Sequence, residues 1–445
     1  TYLHRTTVVF VNIFVINMTT LQQFSCYALA AIIRLLLIHS EYQKIIADRV
    51  EVSTALNSWK KVTEGVYLRE AGIDPYTGDL FHESPIGLYV FSFMQKYLSS
   101  WVLSCIFVLT DLVTAWILGA TAHRYTTELP KRKEKWRHTK RKHGVKNTSA
   151  LLVPAAYLIN PYIVFNCVGF TTTVFTNFLL SVALYSMITK SRLWSCLTIA
   201  LLTLQGLYPV TLMVPAIIYL ARNSDGVTKP IPYGNIAKTI ATFISILSAL
   251  YFVSYKVTGS WSFLQSTIGF ILTVPDLRPN IGLYWYFFTE MFEHFRWLFV
   301  ASFQINVGLL YVAPLALRFR RDPMLLAFSY LAIAAIFKSY PCLGEVGFYM
   351  ALLPMWKHLF PHMQQGFIVS CFLLSCTVFA PTVWHLWIYS RSANANFYFG
   401  VTLAFAIAQI FLVTDVLFAS VKREFSLHHG LSRVIHGNTA KLLLE

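Results

Sequence analysis

Charge is scarce in this chain: Asp, Glu, Lys and Arg make up 13% of its 445 residues and hydrophobic side chains 56%, against roughly 25% charged and 45–50% apolar in an ordinary soluble domain. A soluble globule is excluded on that ground. Cysteine is sparse as well. The seven, Cys26, Cys105, Cys167, Cys196, Cys342, Cys371 and Cys376, fall mostly inside apolar stretches. They form no Cys-x-x-Cys pair and have no histidine at ligand spacing, so neither a disulfide framework nor a zinc site is indicated, and they read as small buried hydrophobes. A Gly-x-Ser-x-Gly elbow, a phosphate-cradling glycine loop and a Cys/His dyad are also missing. Nothing here proposes a nucleophile, and no cofactor is implied.

Apolar length is what the chain has in excess. A helix needs about 20 apolar residues to cross a hydrocarbon core. Such stretches, with short polar breaks, occur at 101–122, 149–168, 170–189, 193–208, 210–221, 239–258, 297–317, 324–340, 345–360, 366–388 and 397–420, with less regular runs at 24–38 and 86–98. The expected fold is all-α: a polytopic membrane bundle of about 12 transmembrane helices. Several spans are short, and Pro154, Pro161, Pro209, Pro215 and Pro354 lie in or beside them. Breaks of that kind are tolerated where neighbouring helices or a cavity satisfy the freed backbone groups, which suggests a bundle around a pocket.

The net charge is +16, yet half of it is local: residues 123–147 hold ten Lys/Arg and two acids. A basic run between two apolar spans is a cytosolic marker far more often than a nucleic-acid site, so no nucleic acid is expected as partner. Residues 39–84 carry five Lys/Arg and eight acids and are expected to be a lumenal loop. Continued alternation puts Lys190, Arg192, Arg222, Lys229, Arg318, Arg320, Arg321, Lys422 and Arg423 at cytosolic ends. Residues 1–17 and the run Phe24 to Ile38 are too close for both to span. Either 1–17 is an extension ahead of a start at Met18 or it is an extra interfacial segment, and no small-residue cleavage site follows Ile38. Residues 18–430 read as one multispanning domain and 431–445 as a cytosolic tail. Asn147-Thr148-Ser149 and Asn17-Met18-Thr19 match the glycosylation sequon, and the first is expected to stay unmodified.

Polar residues concentrate in two expected lumenal segments. In the stretch from Ser266 to Phe295, Pro275-Asp276 and Pro279-Asn280 form a rigid turn, Tyr284, Trp285, Tyr286, Phe287 and Phe288 an aromatic belt, and Glu290, Glu293 and His294 follow within a helical turn. Glu290 and His294, four apart, are expected on one helix face. This is either an interfacial helix with solvated charges or a polar rim over a lipid pocket. One histidine is too few for a zincin, and no metal is expected. In Trp384 to Asn396, aromatic anchoring accounts for Trp384, Trp387 and Tyr389. Asn394 and Asn396 are left as neutral donors and acceptors for hydroxyl-rich or phosphate headgroups, or as turn residues. Asp111 and Asp415 sit inside spans and are expected to be paired; Lys338 is expected to snorkel.

Taken together, Asp48-Arg49-Val50-Glu51-Val52, Ser58-Trp59-Lys60-Lys61-Val62, Glu64-Gly65, Asp74-Pro75-Tyr76-Thr77-Gly78, Phe81-His82-Glu83-Ser84-Pro85, Pro275 to Phe295, Phe303-Gln304-Ile305-Asn306-Val307, Ile336-Phe337-Lys338-Ser339-Tyr340-Pro341 and Trp384 to Asn396 closely resemble the PIG-U family of GPI transamidase subunits, from about Met18 to Gly430. That family is similar in turn to GPI mannosyltransferases of the GT-C type, which use a dolichol-linked sugar and carry an Asp-x-Asp-Tyr motif whose acid serves as general base. Setting Trp59 on the aromatic that closes the motif puts Ser53 and Ala55 where the two acids would be; Asp48 and Glu51 are the nearby acids that would have to substitute. Asn160-Pro161 also resembles the mannosyltransferase Asn-Pro turn.

The resemblance implies a non-catalytic subunit in the endoplasmic reticulum membrane. It would bind the GPI lipid and present its ethanolamine amine to a caspase-like catalytic subunit with a Cys/His pair. By residue type and side, Asn394, Asn396, His385 and Asn280 are the candidates for glycan or phosphate contact, Glu290 and His294 for the rim, and Trp285, Tyr286 and Phe288 for holding the lipid. The competing readings are an active mannosyltransferase, a transporter, for which no repeat is visible, and a purely structural assembly subunit.

Overall fold

The computed structural model describes residues 20–134, 149–221, 232–429 and the short antiparallel pair 434–435 with 438–439. The expectations for 1–17, Asn17, the sequon at Asn147, most of the basic stretch 123–147 and most of the tail 431–445 lie outside the described residues. The chain forms two compact units, a larger one of residues 18–355 and a smaller one whose described part begins at Trp356.

The larger unit is helical throughout. Its elements are α1 (Thr20–Ile38), α2 (Tyr42–Ala47), α3 (Trp59–Glu70), α4 (Pro85–Tyr97), α5 (Ser100–Glu134), α6 (Ser149–Ile159), α7 (Pro161–Val168), α8 (Thr173–Ile188), α9 (Arg192–Gln205), α10 (Met213–Ala221), α11 (Tyr233–Thr258), α12 (Tyr284–Glu290), α13 (Glu293–Ile305), α14 (Val312–Phe319), α15 (Pro323–Phe337) and α16 (Leu343–Leu352). The expected loop 39–84 is thus itself partly helical. Proline marks several starts, because its missing N–H is harmless at the first helical position while the preceding polar side chain caps. Ser84 Oγ accepts from Gly87 N at 3.2 Å, Asn160 Oδ1 from Tyr162 N at 3.0 Å and Asp322 Oδ1 from Leu325 N at 3.3 Å. Asn160-Pro161 bends the α6–α7 pair by 54°.

A polytopic helical membrane protein follows from these lengths, with fewer full spans than expected. Among the described residues five helices are long and apolar enough to cross a membrane, 100–128, 233–258, 293–319, 366–388 and 395–427, or six if the bent 150–168 pair is one span. Five more apolar helices, including α8 and α15, have only 10–17 residues. Helices of that length reach across a hydrocarbon core only where neighbouring helices or a cavity satisfy their freed backbone ends.

Packing radiates from α5, which lies against α6, α8 and α1. Phe107, Val108, Cys167, Val168, Val174 and Ile38 form one buried cluster there. A second, under the expected lumenal loop, joins Val62 and Val66 of α3 to Tyr76, Phe81, Leu88, Phe91 and Phe263. Gly65 is required by it, because a Cβ at that position would stand 2.2 Å from the Phe81 ring.

Within the first cluster's reach Arg34, fully buried on α1, donates to Asp111 Oδ2 of α5 at 2.7 Å and to the Leu158 carbonyl at 3.1 Å. Tyr157 donates to the other carboxylate oxygen at 2.8 Å. Asp111 is therefore paired, as expected of an ionisable group inside a span. Lys338 departs from expectation: it does not snorkel but forms an ion pair with Glu345, which explains its 14% side-chain exposure.

The smaller unit is an antiparallel pair, α17 (Gly366–Ile388) and α18 (Ala395–His429), packed along their length. Asp415 of α18 accepts from the backbone N–H groups of Gln364 and Gln365 at 2.9–3.1 Å and so caps the start of α17 from across the pair.

Breaking the buried pair leaves an uncompensated charge, so Asp111→Leu or Arg34→Met is expected to destabilise by about 3–5 kcal/mol while Arg34→Met/Asp111→Leu recovers most of the loss. A double-mutant cycle on the thermal midpoint of the purified protein checks this. Additive losses would show that the pair is not coupled.

Candidate functional site

Three concavities hold the polar residues that matter. The first, in the larger unit, is a pocket of about 430 Å³ between the segment 47–64 and the turn 276–280. Ser53 and Ala55, where a mannosyltransferase would carry its acids, both line it, and so does Asn280. Asp48 is held in an ion pair with Lys60, and Glu51, 5% exposed, receives two hydrogen bonds from Arg49 at 2.8 and 3.0 Å. The turn itself is tightly made. Tyr340 donates to the Asp276 carbonyl at 3.0 Å, Asp276 Oδ1 accepts from Arg278 N at 2.9 Å, and Arg296 donates to the Val274 carbonyl at 2.8 Å. Val274 has φ +50°, a conformation β-branched residues rarely adopt, so these bonds over-determine the turn.

The second is a more enclosed cavity of about 120 Å³ deeper in the same unit, with Asn57, Thr173, Gln205, Tyr208, Lys338 and Glu345 in its wall. Asn57 donates to Thr173 Oγ1 at 2.9 Å; Tyr208 donates to Gln304 Oε1 at 2.8 Å and lies 2.9 Å from Ser339 Oγ. The 262–283 region is tied to α13 and to the segment after α15 through Ile271, whose carbonyl accepts from both Gln304 and Ser339.

Beside this cavity sit two buried titratable groups of the expected lumenal loop. His82 stacks on Phe270 and places Nδ1 2.8 Å from the Ser266 carbonyl, which only accepts, so Nδ1 carries the proton. Burial pushes its pKa down to about 4, and the ring is neutral. Glu83 receives a hydrogen bond from Gln205 at 3.0 Å, but burial dominates and lifts its carboxyl to about 7.

The third concavity belongs to the smaller unit: an open groove of about 760 Å³ between α17 and α18, lined by Phe372, Cys376, Phe379, Phe397, Val401 and neighbours, with Asn394 and Asn396 at the end where the two helices are joined. Asn394 Oδ1 accepts from the N–H groups of Asn396 and Phe397 at 3.1 and 3.4 Å and so caps α18, which leaves its NH2 group as the amide's donor. His385 is exposed one turn before the end of α17, near Tyr389 and Ser390.

The expected site residues are therefore distributed. His385, Asn394 and Asn396 belong to the smaller unit, the other six to the larger. Asn280 is 4% exposed, with Oδ1 accepting from Gly282 N at 2.7 Å, so much of its amide serves the turn. Trp285 and Phe288 are buried, Phe288 in a cluster with Tyr284, Val300 and Tyr340, while Tyr286 is half-buried. Glu290 and His294 do not share a helix face. The helix α12 stops at Glu290, Met291 and Phe292 are extended (ψ 142° and 133°), and α13 starts afresh at Glu293. Both side chains are exposed. Lys61, Glu64 and Arg278 in the first pocket were not among the expected site residues, because a Lys-Lys pair after a tryptophan has the composition of a solvated face.

A helical membrane protein with polar pockets sunk among short, proline-broken helices is the class that fold and site define. The sequence matches the family model described as "GPI transamidase subunit PIG-U" over residues 28–405. It is 36% identical to the "GPI-anchor transamidase component PIGU" of Homo sapiens and 37% to that of Mus musculus, in each case over 93% of this chain and 97% of the relative. To the "GPI transamidase component GAB1" of Saccharomyces cerevisiae it is 30% identical over 86% of this chain and 90% of the relative. The chain belongs to the PIG-U family of GPI transamidase subunits.

The Glu83 shift sets a pH dependence. An acid whose pKa is raised on folding contributes stability below its unfolded value that is lost as pH rises through the folded value. Relative to wild type, Glu83→Gln is expected to gain thermal stability as pH goes from 4.5 to about 7. Melting curves across that window check it, and a constant difference would refute a buried, proton-holding Glu83.

Proposed function

We propose that this chain is the non-catalytic subunit of the GPI transamidase complex, in the endoplasmic reticulum membrane, that binds the GPI lipid and presents its ethanolamine amine to a caspase-like subunit with a Cys/His pair. The observation that carries the reading is the α17–α18 groove. An apolar trough of about 760 Å³ ends at two asparagines, the arrangement that takes an acyl chain along its length and hydrogen-bonds a phosphate or glycan at its end. Its Phe372, Phe379 and Phe397 supply flat apolar contact, and His385 stands one turn away for a further polar contact.

The absence of catalysis is argued from the first pocket. Ser53 and Ala55 have no proton-accepting carboxylate, and the two nearby acids are engaged, Asp48 with Lys60 and Glu51 with Arg49. A general base needs a free carboxylate within reach of the acceptor hydroxyl. Glu290 and His294, exposed on either side of a helix break, fit a rim in contact with solvent and headgroups, and Tyr286 is the aromatic of the three expected there that retains an accessible surface.

The test is to purify the intact complex, extract the lipids bound to it and compare wild type with Asn394→Ala/Asn396→Ala. GPI is expected to disappear from the double variant while the subunits stay together; equal GPI in both would overturn the groove as headgroup site. Because Asn394→Ala also removes a helix cap, at about 1 kcal/mol, Asn394→Ser serves as control. It keeps the cap but removes the NH2 donor, and should lower bound GPI without lowering the thermal midpoint.

A further inference from the structure

The first pocket contains a charge that the fold leaves unanswered. Lys61, on the pocket side of α3, is 14% exposed, and its Nζ is buried with no hydrogen-bond partner. The nearest carboxylate oxygen, Asp276 Oδ2, is 4.0 Å away, beyond hydrogen-bond distance. That carboxylate is also 3.8 Å from Arg278 and takes its hydrogen bond from the Arg278 backbone. Burial holds the Lys61 ammonium below the usual lysine range. An ammonium in that position has a carboxylate only at the limit of ion-pair distance and no hydrogen bond among the described residues, and leaving its N–H groups unbonded is unfavourable.

The rest of the wall says what kind of anion fits. Six charged residues line the pocket, Lys60, Lys61 and Arg278 against Asp48, Glu64 and Asp276. Three and three cancel, so a ligand of high net charge gains nothing from the pocket as a whole. Glu64 is exposed and forms no salt bridge among the described residues. It follows Lys61 by one helical turn, so the two side chains rise side by side with about 5–6 Å between their Cβ atoms, the span of an ethanolamine phosphate. Asn280 and Tyr340 complete the wall with neutral hydrogen-bonding groups.

We propose that this pocket binds an ethanolamine phosphate group, with the phosphate oxygens on Lys61 and the ammonium on Glu64. Two lipids carry that group, GPI through its glycan and phosphatidylethanolamine as its headgroup. The pocket lies entirely within the larger unit and is independent of the α17–α18 groove, so it stands or falls separately from it.

The intact complex is purified with wild type, Lys61→Met, Lys61→Arg and Glu64→Gln chains, and bound GPI and phosphatidylethanolamine are quantified by mass spectrometry. One of the two lipids is expected to fall about tenfold in Lys61→Met and to be retained in Lys61→Arg. Which lipid falls identifies the source. Glu64→Gln, an exposed and therefore tolerated change, should lower the same lipid; retention there would remove the ammonium half and overturn an ethanolamine phosphate in favour of a simple phosphate. If neither lipid falls in Lys61→Met the proposal is wrong, and Asn394→Ala/Asn396→Ala in the same series reports separately on the groove.

Discussion

One ion pair shut away from water organises the larger unit. Arg34 reaches Asp111 and the Leu158 carbonyl, and Tyr157 reaches the same aspartate, so α1, α5 and α6 meet at a point where no water is available to replace any of them. In hydrocarbon the alternative to each bond is an orphaned charge. That makes the register of these three helices nearly fixed, and through α5 it fixes α8, which lines the inner cavity. The same constraint acts in the smaller unit with a different chemistry. There the Asp415 carboxylate is satisfied by the free N–H groups at the start of α17, so the helix end and the charge solve each other's problem.

Pockets in such a bundle arise from the way helices are interrupted. At each break the chain frees backbone groups, and a polar side chain next to a proline takes them up: Ser84 before Pro85, Asn160 before Pro161, Asp322 before Pro323. Capped breaks need no neighbouring helix to satisfy them, so space can open beside them. The inner cavity lies among helix ends too, with Gly206, Tyr208 and Pro209 on one side and Lys338, Tyr340 and Cys342 on the other. Tyr208, Gln304 and Ser339 then hold its walls apart by a closed hydrogen-bond network rather than by packed apolar volume.

Features set by local chemistry were legible in the sequence, and those set by tertiary contact were not. Apolar length gave the class of fold, Asn160-Pro161 gave a turn, and the position of Asp111 inside a span demanded a partner. That the partner is Arg34 was not legible, since a single cation in the run Ala30 to Ile38 has the same sequence appearance whether it is buried or at the lipid boundary. Lys338 was read as snorkelling because its partner Glu345 lies beyond a proline, and the ion pair depends on how the chain turns there. The 3.6-residue period made Glu290 and His294 neighbours; two extended residues between them separate the helices. The asparagines of 394–396 were legible as donors and acceptors, though the use of the Asn394 oxygen as the cap of α18 needed the backbone.

The first pocket has no carboxylate at Ser53 or Ala55 yet carries charges of both signs in its wall. A general base must be unpaired and able to take a proton, and at Ser53 and Ala55 no such group remains. Of the carboxylates in the wall, Asp48 is paired with Lys60 and Asp276 lies near Lys61 and Arg278, while Glu64 forms no salt bridge among the described residues. Charges of both signs in one wall make a field that orients a zwitterion. Binding needs only that field and a rigid wall, which Val274, Arg296 and Tyr340 provide. On the proposal made above those charges suit the pocket to hold a zwitterion, and Lys61, its Nζ without a hydrogen-bond partner among the described residues, marks where the phosphate would sit.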